Sequence, residues 1–388
     1  MEYVFKPQTH VIPLSGKNDA KIQKNINVVP ENTNQKKFAF GYYFRDGEVI
    51  KRVPFIALAR KYTKFLKEVY FPWPSFATAR EMFGDLRKKE EEIIPDLQEC
   101  KRLGLQLDML ANATCYGDDA VSPKQREQFF SVIDRLGENG IMPDILTTTS
   151  PYLAQLTKEN YPQIECRASV NMRLNSTLAM DYVSPYFDSF YICRDIQRDI
   201  PTLKIFSKWG KDHGKKMCML VNSGCLRYCP WQTFHEMLLS HNYYHTMSEA
   251  SKIRMQPVLC GNIVVGEHKY EEILRCSWIR PEDLWQYEPY VDVFKLSSRE
   301  VSYPDLVLKA YTSRDYDGDL SKILDPGFFA NILPNIIDNK RFPKEWSEGK
   351  IAGKCAINCT HCGKCTEVLK QVLVQDSSYS RYPKYSFT

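Results

Sequence analysis

The sequence predicts an α/β fold: a TIM-like (β/α)8 barrel with an irregular N-terminal arm and a small cysteine-rich, metal-binding knuckle at its C-terminal end. Three observations carry this reading. Eight short β-rich runs alternate with helical patterns between residues 37 and 315. Several of those helical patterns begin on proline, which suits the first turn of a helix. A dense CxxxCxxCxxC run stands at 355–365, near the end of the chain.

Residues 1–36 contain Pro7, Pro13 and Pro30 and a polar stretch from Asn32, with neither helical nor strand periodicity, so they form an arm. The β-rich runs are 38–44, 106–113, 144–149, 165–172, 189–196, 216–222, 271–278 and 291–297. Helical patterns lie between them at 123–136, 151–159, 200–209, 233–241 and 281–287. Each return to a parallel strand needs a crossover, so the alternation implies a parallel sheet. The count of eight and the absence of a GxGxxG turn after the first run favour closure over an open, doubly wound sheet. The Asp-, Pro- and Asn-rich stretch 316–343 is expected to wrap the barrel, giving a C-terminal unit of 316–388.

At 388 residues, 43% hydrophobic and 26% charged, the chain has the balance of a globular protein with a core of ample size. Its +5 net charge is dispersed, which permits an RNA or anionic small-molecule substrate without demanding one. No apolar run reaches the roughly 20 residues that span a bilayer, and the N-terminus lacks the apolar core of a secretory signal. The expectation is a cytoplasmic protein with no membrane span. In that reducing setting its 13 cysteines point to metal or redox chemistry rather than to disulfides.

Cys225 and Cys229 follow the sixth run, between Gly224 and Pro230, where the chain must leave the strand. Barrel enzymes keep their chemistry beyond the C-terminal ends of the strands. Cys276 belongs to the next run and Cys260 to the insertion before it, which brings four thiols to neighbouring loops, as a tetrahedral zinc or a cubane cluster requires. Cys218, seven residues before Cys225 and among apolar neighbours, competes with Cys260 for the fourth position. Cys100, Cys115, Cys166 and Cys193 have no close partner and read as packed small hydrophobes.

Cys355, Cys359, Cys362 and Cys365 form the second group. Zinc knuckles usually separate two cysteine pairs by a dozen or more residues, whereas ferredoxin-type sites crowd cysteines at this spacing. A second iron–sulfur cluster is therefore expected there, with zinc as the alternative. The CxxxCxxC part also fits radical S-adenosylmethionine enzymes, but those place it early in a barrel, and here only 23 residues follow Cys365.

His235-Glu236 is not a zinc-protease motif, because the next histidine, His241, is too far along to share its helical face. His235 is instead placed beside the first cysteine group as a proton donor. His241 and His245 read as ordinary helix-face residues. Asn171, Arg173, Arg194 and Asn222 fall at strand ends, where they can line a substrate pocket. The sequence contains neither a GxSxG elbow nor a phosphate-binding loop of the GxxxxGK[ST] type.

Two segments resemble peptidase family U-32, the collagenase-like group that includes the oxygen-independent hydroxylation proteins of ubiquinone synthesis and RNA modification. They are NSGCLRYCP at 222–230, and Cys276 followed by PEDL at 281–284 and VDVFKLSSR at 291–299. The last resembles the family's FKIEGR signature, with Phe294, Lys295 and Arg299 matching and Leu296, Ser297 and Ser298 departing from it. The resemblance implies a barrel holding a [4Fe-4S] cluster through cysteines in the positions of Cys225 and Cys276. It implies oxygen-independent hydroxylation or a related redox step, an electron-transfer partner, and a carboxylate oxygen donor such as prephenate held by Lys295 and Arg299. A collagenase-like peptidase, or a non-catalytic metal-binding module recognising RNA or protein, is the alternative.

Overall fold

The computed structural model describes residues 38–44, 53–74, 76–78, 86–245, 259–299, 301–347, 355 and 359–377. The arm expected over 1–36 lies outside the described residues.

Among the described residues, eight parallel strands close into a barrel in sequence order. They are β1 (Phe38–Gly41), β2 (Leu66–Pro72), β3 (Gln106–Ala111), β4 (Ile145–Thr148), β5 (Glu165–Ala168), β6 (Ser189–Tyr191), β7 (Lys216–Leu220) and β8 (Val293–Leu296). β1 pairs with β8, with Ala39 opposite Lys295. The crossover helices are α1 (Phe55–Tyr62), α2 (Leu86–Arg102), α3 (Pro123–Glu138), α4 (Pro151–Asn160), α5 (Thr177–Val183) and α6 (Ile200–Asp212). Their starts follow capping chemistry: the hydroxyls of Ser122, Ser150 and Ser176 accept from the backbone N–H of Gln125, Leu153 and Ala179.

Two of the expected elements need correction. The run 271–278 is not a strand; it holds the short helix Glu271–Arg275. The eighth strand is Leu66–Pro72, where the charged pair Lys67 and Glu68 masks a strand pattern. Glu68 tolerates that position because it faces a partner inside the barrel, not solvent or lipid-like packing.

The connection from β7 to β8 is long. It carries α7 (Gln232–His245), a turn at Leu259–Gly261, the helix Glu271–Arg275 (α8) and the 3-10 turn Pro281–Gln286. After β8 come α9 (Pro304–Ser313) and a two-stranded antiparallel ribbon of β9 (Asn335–Ile337) and β10 (Leu373–Gln375), preceded by α10 (Lys364–Val372). α10 packs on α8, which seats the cysteine-rich segment on the wall of the β7–β8 connection. No helix among the described residues is long and apolar enough to cross a membrane.

Branched aliphatic side chains usually fill such barrels; here the interior is strongly polar. Ala39, Tyr70, Leu110, Tyr191, Cys218 and Val293 form a small inner cluster, separate from the main core between strands and helices. Around it Arg167 makes a fork with Glu68, Nη1 to Oε2 at 2.6 Å and Nη2 to Oε1 at 3.0 Å, both side chains fully buried. Its Nε donates to Ser189 Oγ at 2.9 Å and Nη2 also to Glu165 at 2.9 Å. The Thr147 hydroxyl donates to Asp108 at 2.7 Å.

Candidate metal centre and barrel-mouth site

All 13 cysteines are free thiols. The chain turns sharply after β7: Gly224 N–H donates to the Asp325 carbonyl at 3.0 Å, and Tyr228 adopts a left-handed φ of 57°. Tyr228 N–H is fixed by Asp195 Oδ1 at 2.8 Å. This turn sets Cys225 and Cys229 beside one another, and Cys260 and Cys276 join them. Cys276 feels Cys225 and Cys260, and Cys260 feels Cys225 and Cys229, as electrostatic neighbours. Burial, then these neighbouring thiols, push Cys276 well above the ordinary thiol range, while Arg198 pulls the other way. Cys229 and Cys260 are raised as well, by burial first.

Cys218 stands apart. It is completely buried in the barrel interior, where burial pushes it up to about 12 and its charged neighbours are Arg167, Glu68, Glu165 and Asp292. Of the two contenders for a fourth position, Cys260 is therefore the one that sits with the group.

Cys355 and Cys365 of the C-terminal run share Arg198 as a neighbour with Cys276 of the first group. Cys365 has Cys355 and Cys359 as electrostatic neighbours, and burial pushes it up to about 11. Cys362 is exposed. Arg227, two residues after Cys225, joins the groups mechanically: Nη2 donates to the Cys355 carbonyl at 2.7 Å and Nε to the Asp195 carbonyl at 2.5 Å.

The donor set of each group, four thiols and no carboxylate, fits a soft metal centre. A single tetrahedral zinc draws its sulfurs to about 3.8 Å from one another, given a Zn–S distance of about 2.3 Å. Among the described residues no three His, Cys, Asp or Glu side chains close round one ion in that way.

Lys295, on β8, is half-buried at the same end of the barrel. Its ammonium lies 3.8 Å from the centroid of the Tyr70 ring and 5.0 Å from that of Tyr191. Burial lowers its pKa, Asp108 holds it up, and Arg299 and Arg167 repel it further down. Burial raises Asp108 despite Arg167 and Lys295. Tyr191 keeps a buried hydroxyl with no hydrogen-bond partner among the described residues. Two of the three departures from the FKIEGR signature are structural: Ser297 bonds Asp325, and Ser298 Oγ accepts from Gly41 N–H at 2.9 Å.

The remaining expected site residues divide. Asn171, in the turn Val170–Met172, and Arg173 are half-buried at the rim. Arg173 is held by Thr233 and Asp195, both at 3.1 Å. Two expectations of substrate contact are corrected. Asn222 is fully buried and spends its amide on the Ser297 and Ile323 carbonyls at 2.8 and 3.1 Å and on Ser297 N–H at 2.6 Å. Arg194 is committed to Glu236 and to Cys225 Sγ at 3.7 Å. The proton-donor role given to His235 is also corrected, because His235 is exposed on α7 and its neighbour Glu236 turns inward instead.

Asp195 and Arg198 were not singled out in the sequence, and Glu236 was weighed there only as part of a zinc-protease motif that fails. The signal was present in Arg194, Asp195 and Arg198, three charges in five residues directly after β6, at the end of the barrel where chemistry collects. Two surface cavities, of about 710 and 480 Å³, lie against α2 and α3 and below β7, away from this end.

No family model matches the chain. A protein of Methanocaldococcus jannaschii described as an uncharacterized protease is 26% identical over 324 residues, covering 81% of this chain and 92% of that protein. Among solved structures, the U32 peptidase Mk0906 overlaps 69% of this chain and 94% of its own at a TM-score of 0.49 and 16% identity. The GH53 catalytic domain of Ignisphaera aggregans overlaps 70% and 87% at a TM-score of 0.35 and 8% identity. The chain is thus similar to the archaeal protein over nearly the whole of that protein's length.

Proposed function

We propose that this is an iron–sulfur enzyme that modifies an organic substrate at the barrel mouth by oxygen-independent hydroxylation or a related redox step. The observation that supports it is the gathering of Cys225, Cys229, Cys260 and Cys276 at the end of the barrel that also carries Lys295 and Arg299. Those four thiols would hold a [4Fe-4S] group, which would supply one-electron chemistry beside the substrate, and Cys355, Cys359, Cys362 and Cys365 would hold a second centre for electron relay. Arg194 steadies Cys225 through its bond to the sulfur.

Lys295 makes no hydrogen bond or ion pair among the described residues; it lies against the faces of two tyrosines with Asp108 as a charged neighbour, and its ammonium can take an anion. With Arg299 it would hold a carboxylate. If that carboxylate is a hydroxylated oxygen donor, its C–O bond and a C–H bond of the acceptor break while a C–O and a C–H bond form in exchange. The electrons balance without dioxygen.

Peptide hydrolysis is the second reading, because the archaeal relative is named a protease. Against it, the buried thiols are raised, not lowered as a thiolate nucleophile requires, and His235 faces solvent.

The test is anaerobic purification of the full chain. Brown protein with about eight irons per chain is expected. A dicarboxylate should bind, with an affinity that weakens as pH rises through the lowered Lys295 pKa, where the ammonium is lost, and Lys295→Met should abolish this. Colourless protein that holds zinc and cleaves gelatin would overturn the proposal in favour of the peptidase.

A further inference from the structure

Arg198 lies between the two cysteine groups, with Cys276 on one side and Cys355 and Cys365 on the other. Its guanidinium is completely buried. Nη1 donates to the Leu274 carbonyl at 2.7 Å and the Cys276 carbonyl at 2.8 Å. Nε and Nη2 are buried with no hydrogen-bond partner among the described residues. The cation rests against Trp346 and Trp278, its carbon 4.9 and 5.4 Å from their ring centroids. Among the described residues no carboxylate pairs with it.

A buried arginine without a counter-ion is costly, and one with two idle N–H donors more so. Among the groups within electrostatic reach of it that can become anions are Cys355, Cys365, Tyr287 and Cys276. Cys276 belongs to the barrel group, and Cys355 and Cys365 to the C-terminal group. A four-thiolate centre carries a net charge of about −2, whether its core is a divalent zinc or an oxidised cubane. Two such centres side by side repel each other across a dry interior, where little water screens them.

We propose that Arg198 is the shared counter-cation of the two cysteine centres, and that its fork, Nη1 fixed on the backbone at Cys276 and Nε and Nη2 held for thiolate sulfur, couples metal retention at one centre to retention at the other. Arg198 is thus a positioning residue, acting on the ligands and not on the substrate. This rests on the reading that both groups bind metal, and applies to iron and zinc alike.

The experiment measures metal loss to a chelator from anaerobically purified full-length chain. Two backgrounds retain one centre each: Cys359→Ser with Cys362→Ser, and Cys225→Ser with Cys229→Ser. Arg198→Gln is expected to speed loss about tenfold in both, the usual effect of removing a residue that supports metal ligands. Acceleration in one background alone overturns the sharing, and acceleration in neither overturns the role. Arg227→Gln, which cuts the tether to Cys355 but leaves the buried cation, is expected to have a much smaller effect. An equal effect would assign the result to packing and overturn the charge argument. If Arg198→Gln does not fold, Arg198→Lys carries the test, because an ammonium keeps the charge but not the fork: faster loss is expected, and wild-type rates in both backgrounds overturn the proposal. Wild-type chain without metal sinks the underlying reading and this inference together, whereas loaded wild type with an indifferent Arg198→Gln sinks only the inference.

Discussion

At the scale of single residues, the site depends on one close backbone approach. A Cβ placed on Gly224 would stand inside the carbonyl oxygen of Pro326. That oxygen cannot withdraw easily, because Asp325 is held through its N–H by the Asn222 carbonyl at 2.9 Å and through its own carbonyl by Gly224 N–H at 3.0 Å. Gly224→Ala should therefore push the Cys225 turn outward, at a cost of about 1–3 kcal/mol for an overpacked contact. It should also deplete metal at the barrel centre while the C-terminal centre stays loaded. Metal content per chain and the urea midpoint check this, and full loading with an unchanged midpoint would show that the turn yields. Gly224, Cys225 and Cys229 were legible in the sequence because glycine, cysteine and proline there mark a loop. Asn222 and Arg194 were misread because residue type and strand-end position say nothing of which partner claims the side chain. His235 and Glu236 are adjacent, and only the helix's rotation decides which of them faces inward.

At the scale of elements, the barrel count came out right although one strand was missed and one false strand stood in its place. Leu66–Pro72 escaped because Lys67 and Glu68 break the apolar run that marks a strand buried on both faces. Glu68 stays there because Arg167, two strands further round than its neighbour β3, reaches across the interior to it. The sequence could not show a pairing of residues 99 positions apart. The run 271–278 misled for the opposite reason, since apolar residues of a short buried helix look like a strand when periodicity has too few residues to declare itself. The polar interior makes a sharp prediction. Glu68→Leu leaves a buried guanidinium with half its partners gone and should cost about 3–5 kcal/mol. Glu68→Leu combined with Arg167→Leu should cost less than the sum of the single changes, since neither charge is then stranded. Denaturant unfolding of the three variants measures the coupling. Additive costs would mean that water reaches the fork and that the barrel floor is not sealed.

At the scale of the whole molecule, the C-terminal segment has little of its own to hold it. α10 is 9 residues long, shorter than a helix that persists alone in water, and buries only Val368 and Val372. It starts at Gly363, whose φ of 66° suits glycine, and lacks a side-chain cap there. Its attachments are the ribbon of β9 with β10, its packing on α8, and the stack of Trp278 on Trp346, 5.6 Å between centroids, that flanks Arg198. Cys365 lies in its first turn, so a metal bound by Cys355, Cys359, Cys362 and Cys365 would pin the end of the helix that has no cap. Stripping the metal, or replacing Cys359 and Cys362 by serine, should therefore speed amide hydrogen exchange across residues 364–372 by about tenfold or more, while strands β3 to β5, on the opposite side of the barrel, keep their protection. Exchange read by mass spectrometry resolves the two regions. If α10 exchanges equally slowly with and without metal, its docking on α8 suffices, and the cysteines of this segment serve the chemistry of the centre rather than the fold.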